Sequence, residues 1–197
     1  MRVACLDLEG VLIPEIWQAV AASTGIAELN LTTRDIPDYH ELMHRRLHLL
    51  EIHDITIDQI TSVIATLSPL PGASEFMREL RTQAQVIILS DTYQEFAAPL
   101  MAQLDWPTLF CNNLSIDGDG RIRDYHLRQE QGKLHAVRAF QSMNLIVYAA
   151  GDSYNDLTMI LEADAGAFFR PPSSIVEENP EVPVVTEYDG LLEFLVS

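Results

Sequence analysis

Basic residues are scarce in this sequence: 12 lysines and arginines stand against 29 aspartates and glutamates, for a formal net charge of −17 at pH 7. Binding to nucleic acid requires a basic surface that neutralises phosphates. The same excess of negative charge disfavours an anionic membrane. We therefore expect neither nucleic acid nor membrane as a partner, and an anionic substrate would need local cations or a metal ion.

Cysteines and long apolar runs are also rare. The two cysteines, Cys5 and Cys111, are far apart and each ends an apolar run, which is typical of buried thiols in a reducing compartment. No apolar run approaches the ~20 residues that span a bilayer, and Asp7 interrupts any signal-peptide pattern. We expect a cytoplasmic protein; the sequence gives no indication of its oligomeric state.

The apolar residues, 48% of a 197-residue chain, are concentrated in short runs separated by helical stretches. This pattern predicts strands that helices cover on both faces. The four clearest runs and a weaker fifth are 3–6, 86–89, 145–150, 165–169 and 182–185. We predict an α/β fold with a doubly wound, mostly parallel sheet, that is, a Rossmann-like core.

The interval between the first two predicted strands is too long for one crossover helix. It contains two amphipathic stretches, "YHELMHRRLHLL" and "TIDQITSVIATL", and Thr56 and Gln59 form a capping box at the start of the second. We predict a small helical cap, residues 14–72, inserted in a core domain of residues 1–13 and 73–197. Further along, the Gly-Asp-Gly turn in "LSIDGDGRIRDYHL" predicts a β-hairpin.

Polar and acidic side chains follow three of the predicted strands. They are Asp7, Glu9, Ser90, Asp91, Asp152, Asn155 and Asp156. Ligands of parallel sheets gather at the carboxyl ends of the strands. Asp7 and Glu9 lie on one side of an extended segment, so their charges need a cation. Asp152 and Asp156, four residues apart, are predicted to share one face at the start of a helix, whose positive end favours anions.

Carboxylates at several strand ends are typical of a Mg²⁺ site, because this ion prefers hard oxygen ligands. With such an ion screening the charges, one carboxylate can attack a phosphoryl group as a nucleophile. The Ser90 hydroxyl can bind a phosphate oxygen, and Lys133, in "EQGKLHAV" at a predicted helix start, can supply a fixed positive charge. The residues thus predict phosphoryl-transfer chemistry.

Four segments in order resemble the motifs of the haloacid dehalogenase superfamily of aspartyl-phosphate phosphatases. They are "DLEGV" from Asp7, Ser90, Lys133 and "GDSYND", residues 151–156. The resemblance covers nearly the whole chain and includes a helical cap at the expected insertion point. It implies that Asp7 is the nucleophile and that Glu9 protonates the leaving oxygen and then deprotonates water.

The resemblance also implies which residues bind the metal ion and which bind the substrate. Asp7, the backbone carbonyl of Glu9 and Asp152 would hold Mg²⁺, with Asp156 supporting the metal or Lys133. The implied substrate-binding residues are Glu15, Arg46, Ser90, Asp91, Lys133 and Asn155.

Glu9 departs from the pattern of most family phosphatases, which carry aspartate at this position. A smaller branch, the phosphoserine phosphatases that also transfer phosphate to homoserine, has this glutamate, and the whole chain resembles that branch. The resemblance implies phosphoserine as the substrate and homoserine as a candidate acceptor in competition with water. The extra methylene shifts the acid by about one bond length and so changes its reach.

Arg46 falls on the apolar stripe of its predicted helix, three or four positions from Leu42 and Leu49. A guanidinium on a buried stripe needs an anion. By the resemblance, Arg46 binds the substrate carboxylate through two hydrogen bonds and Glu15 binds the substrate ammonium group. A structural ion pair for Arg46 and a solvated helix start for Glu15 are the alternatives.

Two other motifs fit less well. "HELMH", residues 40–44, matches the HExxH signature of zinc proteases, but the adjacent Arg45 and Arg46 and the lack of a third-ligand motif favour an exposed helix face. "DGDG", residues 117–120, resembles the start of an EF-hand loop, but Arg128 stands where the loop needs a glutamate. A hairpin turn is the better interpretation.

Three alternatives remain for the acidic residues themselves. A general phosphatase of the same superfamily would act on other small phosphates, such as sugars or nucleotides. A receiver-type signalling module also combines an aspartyl phosphate, Mg²⁺, a hydroxyl and a lysine, but it lacks an inserted cap and an acid such as Glu9. In the third alternative the carboxylates of Asp7, Asp152 and Asp156 only cap helices or face solvent.

Overall fold

The computed structural model describes residues 1–33, 35–36 and 38–197. Within them a seven-stranded sheet has the spatial order β4-β3-β2-β1-β5-β6-β7. The strands are β1 (Arg2–Leu6), β2 (Gln85–Tyr93), β3 (Thr108–Ile116), β4 (Ile122–His126), β5 (Ile146–Gly151), β6 (Ala165–Phe169) and β7 (Val184–Val185). Neighbouring strands are parallel except β3 and β4, which are antiparallel. The predicted α/β fold with a mostly parallel sheet is confirmed.

Helices pack on both faces of this sheet. They are α1 (Ile16–Thr24), α2 (Tyr39–Ile52), α3 (Ile57–Ile64), α4 (Ala73–Gln83), α5 (Gln94–Gln103), α6 (Gly132–Ser142), α7 (Leu157–Glu162), α8 (Ser173–Glu178) and α9 (Tyr188–Val196). Alternate residues of β1 enter two separate apolar clusters, Val3 and Cys5 one and Ala4 and Leu6 the other. The first cluster contains residues of α6, α7 and α8, and the second contains residues of α4, α5, α9 and of all three helices α1–α3.

The segment of residues 14–72 holds α1, α2 and α3, as the sequence predicts for a cap. The capping box of Thr56 and Gln59 forms at the start of α3, and this prediction is confirmed. Where the segment leaves and rejoins the core, the Leu70 amide donates to the Leu12 carbonyl at 2.9 Å. The two connections therefore lie side by side, as an insertion requires. The domain boundaries themselves stay a proposal.

The predicted hairpin is formed by β3 and β4, and Gly120 N donates to the Asp117 carbonyl in its turn. Its second strand is tied to the end of α2, because Arg123 contacts Glu51 at 3.0 Å. The first half of β3 pairs with β2 in parallel, which the apolar pattern did not reveal. Among the described residues, no helix has both the length and the apolar character that crossing a bilayer requires. Cys5 and Cys111 are free thiols.

Candidate active site

Three carboxylates meet at the carboxyl ends of β1 and β5. Asp7 follows β1 directly, and its amide donates to the Ala150 carbonyl of β5 at 3.0 Å, which aligns the two strand ends. Oxygen atoms of Asp7, Asp152 and Asp156 all lie within 4.8 Å of one another. The sequence prediction that these residues converge is therefore consistent with the structure.

Two glycines let the surrounding loops approach these carboxylates. Gly10 has a φ of 76°, and a Cβ atom at this position would lie 2.4 Å from an oxygen of Asp152. At Gly151 a Cβ atom would lie 2.2 Å from the carboxyl carbon of Asp156. A side chain at either position would push the acidic groups apart.

Asp156 organises the loop after β5 and does so in a way that differs from the sequence prediction. The prediction that Asp152 and Asp156 share a helical face is wrong, because Asp152 precedes the short 3₁₀ turn Tyr154–Asp156 and α7 begins only afterwards. One oxygen of Asp156 instead accepts from the backbone amides of Asp152 and Ser153, both at 3.0 Å. The side chain of Asp156 thus folds back on its own loop.

Lys133, at the start of α6, is the buried cation of this group. Its ammonium nitrogen lies 2.6 Å from Oδ1 of Asp156 and 2.9 Å from Oδ1 of Asp7. Burial alone would lower the pKa of Lys133, but the charges of Asp156 and Asp7 more than offset it, and the pKa is raised well above its usual value. Lys133 therefore stays charged.

The carboxylates outnumber this single cation. Burial, together with the charges of Asp156 and Asp152, raises the pKa of Asp7 well above its ordinary value. Burial and the charge of Asp156 raise the pKa of Asp152 to about 7. A hard divalent cation fits these carboxylates, because it would neutralise their negative charge in place of bound protons. Since both oxygens of Asp156 already have partners, Asp7 and Asp152 are the oxygen donors left for an ion.

Glu9 is half-buried, and its side chain is hydrogen-bonded to the first helix of the cap segment. Its Oε2 accepts a hydrogen bond of 2.8 Å from the amide of Ile16, the first residue of α1. The longer side chain of glutamate thus reaches a free amide at a helix start. Burial and the nearby carboxylate of Glu15 raise the pKa of Glu9 to about 8, so in the metal-free protein the group is protonated at neutral pH.

Ser90 and Asp91 lie inside β2 instead of after it, which corrects the predicted end of that strand. The strand runs on to Tyr93, but its pairing with β3 shifts register beyond Leu89. Ser90 is buried, and Oδ2 of Asp91 accepts from Nδ2 of Asn155 at 2.8 Å. The irregular stretch of β2 is thereby joined to the loop after β5.

Arg46 is on the buried face of α2, as predicted, and is only 7% exposed. One terminal nitrogen donates to the Leu31 carbonyl at 2.7 Å, and the guanidinium carbon lies 4.5 Å from the centre of the Trp17 ring. Its Nε is buried and has no hydrogen-bond partner in the part of the chain that the structure describes. Within residues 1–33, 35–36 and 38–197, none of the ion pairs includes Arg46.

Residues at the strand ends of the core and residues of the cap segment border the same cavity of about 230 Å³. Eight of the ten predicted site residues line it: Asp7, Glu9, Glu15, Arg46, Ser90, Asp91, Asp152 and Asn155. The other two, Lys133 and Asp156, contact each other and lie behind Asp7. A wider groove of about 890 Å³ between α1 and α3 is lined mostly by small and apolar residues and lies away from this chemistry.

Three aromatic residues of the cavity wall, Trp17, Tyr39 and Tyr154, were missed in the sequence. Trp17 lies two positions after Glu15, and Tyr39 lies seven positions before Arg46, hence on the same face of α2. Tyr39 shares a hydroxyl–hydroxyl hydrogen bond of 2.8 Å with Tyr93. Helical spacing could have indicated Tyr39, whereas no local pattern indicates that Trp17 contacts Arg46.

The histidines of the "HELMH" motif lie outside this cavity. His40 and His44 are exposed on α2. Nδ1 of His40 contacts the hydroxyl of Tyr125, and the ring of His44 packs edge-on against the same tyrosine. Their contacts favour the exposed helix face that the sequence analysis preferred.

Residues 1–164 match the family model of the haloacid dehalogenase-like hydrolases. The chain belongs to this family. Within this hydrolase family, the chain is 54% identical over 196 residues to phosphoserine phosphatase ThrH of Pseudomonas aeruginosa, a match that covers 99% of this chain and 96% of the relative. It is 52% identical over 191 residues to a phosphoserine phosphatase of Pseudomonas syringae pv. tomato, with 97% and 81% covered.

Solved structures of phosphoserine phosphatases share the fold. A phospho-aspartyl intermediate analogue of phosphoserine phosphatase matches with a TM-score of 0.80 over 98% of both chains, at 19% sequence identity. The sheet and its helices therefore correspond along nearly the whole chain. The family predicted from the four motifs is confirmed, and this protein is an enzyme of that family.

Proposed function

We propose that this enzyme is a Mg²⁺-dependent phosphoserine phosphatase that forms a phosphoenzyme on Asp7. The observation that carries the proposal is a single cavity lined by the Asp7 carboxylate on one side and the buried guanidinium of Arg46 on another. A substrate without a second anion would leave Arg46 unpaired, which is unfavourable for a buried cation. The relatives named phosphoserine phosphatases support the same substrate.

In the proposed first step, a carboxylate oxygen of Asp7 attacks phosphorus, and the bond between phosphorus and the serine oxygen breaks. Glu9, which is half-buried and protonated near neutral pH in the metal-free protein, donates its proton to the leaving oxygen. In the second step Glu9 takes a proton from water as the water oxygen attacks the phosphoenzyme. Inorganic phosphate leaves, and both Asp7 and Glu9 return to their starting forms.

Lys133 and Ser90 are the proposed ligands of the phosphoryl oxygens. Lys133 is charged and lies 2.9 Å from the attacking group, and Ser90 is buried in the cavity wall. Charge-assisted hydrogen bonds from such groups stabilise a phosphoryl group as it is transferred. Asn155 is a further proposed contact, and Asp91 holds its amide in place.

We propose that Asp7, the backbone carbonyl of Glu9 and Asp152 hold the Mg²⁺ ion. When bound, the ion neutralises charge so that an anionic nucleophile can approach an anionic substrate. The raised pKa values of Asp7 and Asp152 support a cation at this position. Asp156 acts as a positioning residue here, because its oxygens hold Lys133 and the loop backbone.

The cap side of the cavity is proposed to bind the amino-acid part of the substrate. Arg46 would bind the α-carboxylate, and Glu15, which also lines the cavity, would bind the α-ammonium group. The cavity of about 230 Å³ is smaller than the ~300–1,000 Å³ typical of drug-sized ligands, which favours a small metabolite over a nucleotide. Homoserine carries the same two groups and could compete with water for the phosphoenzyme.

A panel of phosphorylated metabolites tests the substrate. With Mg²⁺ present, phosphoserine is expected to give the highest kcat/KM, well above sugar phosphates and nucleotides. Equal rates across the panel would instead support a general small-phosphate phosphatase. Adding homoserine to the phosphoserine reaction tests the acceptor, since phosphohomoserine forms only if homoserine competes with water. A phosphoenzyme that persists for hours would point to a receiver-type module.

A further inference from the structure

Trp17 connects the recognition side of the cavity to the core of the protein. It is the second residue of α1 and lines the cavity. One face of its indole ring lies 4.5 Å from the guanidinium carbon of Arg46. Its ring also packs edge-to-face with Phe96 of α5, with ring centres 5.7 Å apart. Phe96 in turn packs edge-to-face with Tyr93 at the end of β2.

The guanidinium of Arg46 has few other contacts that fix its position. Among the described residues, it makes one short hydrogen bond, to the Leu31 carbonyl, and one long contact of 3.7 Å with the sulfur of Met43. Arginine has four flexible side-chain torsions, and fixing them for a ligand is entropically unfavourable. An additional contact is therefore needed to hold the group in a single orientation.

An aromatic face meets this need in a way that a carboxylate could not. An acidic partner would fix the guanidinium but would neutralise its charge and occupy its N–H groups. A tryptophan face attracts the cation from above and leaves the N–H groups at its edge free. The Nε of Arg46, which has no partner within the described ranges, is consistent with such an arrangement, in which a donor is kept available.

We propose that Trp17 is a positioning residue that determines specificity for an amino-acid carboxylate by holding Arg46 in its binding orientation. This inference rests on the function proposed above. Phe96 is almost fully buried in the core, so its contact fixes the ring of Trp17 relative to the part of the protein that carries Asp7. Through Trp17, the position of Arg46 is fixed relative to the same part. Trp17 thus helps to set the distance between Arg46 in the cap and Asp7 in the core, which contact opposite ends of the substrate.

The test compares Trp17→Leu with Trp17→Phe, since leucine removes the aromatic face and phenylalanine keeps one. Steady-state kinetics are measured on phosphoserine and on p-nitrophenyl phosphate, which has no carboxylate. Trp17→Leu is expected to raise KM for phosphoserine about 10-fold or more, because a desolvated cation–π contact is lost. Trp17→Phe should recover most of that loss, and KM for p-nitrophenyl phosphate should change less than about twofold in both.

Tyr154→Leu serves as the matched control. Tyr154 is another aromatic residue of the cavity wall, and its hydroxyl donates to Glu178 at 2.9 Å, whereas the ring that lies over the guanidinium of Arg46 is that of Trp17. Loss of the Tyr154 ring should affect the two substrates equally. An equal loss on both substrates in Trp17→Leu as well would make Trp17 a packing residue and overturn the proposal.

Arg46→Ala, measured alongside, separates this inference from the proposed function. If Arg46→Ala selectively weakens phosphoserine and Trp17→Leu does not, only the role of Trp17 is refuted. If Arg46→Ala weakens both substrates equally, the assignment of an amino-acid substrate fails, and the role of Trp17 fails with it. Selective loss in both variants supports both proposals.

A binding measurement avoids reliance on a variant that fails to fold. The chain has two tryptophans, and Trp106 is 66% exposed, so Trp106→Phe leaves Trp17 as the sole tryptophan, whose emission is excited selectively over that of the tyrosines. Titration of this variant with L-serine should change the Trp17 emission as the carboxylate meets Arg46, and Arg46→Ala should abolish the change. A Trp17 signal that does not respond to L-serine, or that responds equally without Arg46, would contradict the proposal.

Discussion

The two sides of the cavity differ in how far their polar groups are satisfied. On the core side, Asp156 engages Lys133 and the loop backbone, Asp7 engages Lys133, and Asn155 engages Asp91. On the cap side, Arg46 is buried, yet its Nε has no hydrogen-bond partner among the described residues, and its contact with the Trp17 ring is not a hydrogen bond.

This difference suggests that the core side carries out the reaction and that the cap side selects the substrate. A network whose members hold one another can keep a nucleophile and a cation in place without a substrate. A buried donor without a partner is unfavourable until a ligand supplies the acceptor. The core side is therefore suited to any phosphoryl group, and the cap side contributes specificity. Changes on the core side should affect all substrates alike, and changes on the cap side only amino-acid substrates.

The largest effect is expected for Asp7→Asn, which removes the proposed nucleophile with little change in shape. Turnover of phosphoserine and of p-nitrophenyl phosphate should fall by about 10³-fold or more, since a covalent route is lost. Initial rates at saturating Mg²⁺ measure the loss, and circular dichroism checks the fold. Residual activity of a few per cent on either substrate would remove Asp7 from this role.

Lys133→Met tests how much the buried network of Lys133, Asp7 and Asp156 contributes to the stability of the fold. The substitution leaves Asp7 and Asp156 buried without their cation, and it should lower the free energy of unfolding by about 3–5 kcal/mol in urea denaturation. Arg138→Met is the matched control, because Arg138 pairs with Glu162 at the surface, and its loss should amount to about 1 kcal/mol or less. Equal losses in the two variants would show that the buried network contributes no special stability.

Arg46→Ala tests the cap side. It should lower kcat/KM for phosphoserine about 30-fold or more, because a buried, charge-assisted contact with the carboxylate is lost. The rate on p-nitrophenyl phosphate should change less than about threefold. The neighbouring Arg45→Ala is the control, since Arg45 is exposed and pairs with Glu28 at 2.6 Å. If Arg45→Ala and Arg46→Ala had the same effect, the general charge of α2 would be responsible.

Much of the core side could be predicted from the sequence, because local rules specify it. Asp7 and Asp152 follow apolar strands whose parallel neighbours end at the same edge of the sheet, so their convergence follows from strand order. The buried position of Arg46 follows from helical periodicity. In both cases the spacing along one element was sufficient.

The remaining features depend on contacts between elements or on irregular backbone. The continuation of β2 through Ser90 and Asp91 involves a shift in register that no period-two pattern encodes. Asp156 folds back because two backbone amides of its loop are free to donate to it. The contact of Trp17 with Arg46 joins two helices, and helical periodicity predicts a face without predicting what lies opposite it.

The smallest expected effect concerns pH and the carboxylates of the metal-free protein. Asp152, with a pKa of about 7, and Glu9, with a pKa of about 8, bind protons more tightly in the folded state than in the unfolded state. Folding is therefore favoured as the pH falls through these values, and the gain is lost as the pH rises above them. With a chelator present, each of the two groups should increase stability by about 1–2 kcal/mol between pH 8 and pH 6.

Saturating Mg²⁺ should reverse this trend, because protons compete with the metal for the same oxygens, and its stabilising effect should be larger at pH 8 than at pH 6. Urea denaturation at both pH values, with chelator and with Mg²⁺, measures the two slopes. Asp152→Asn should flatten the slope in chelator and weaken the effect of Mg²⁺. An unchanged slope in this variant would mean that the pH dependence arises outside the cluster of Asp7, Asp152 and Asp156, from Glu9 or from the protein's overall negative charge.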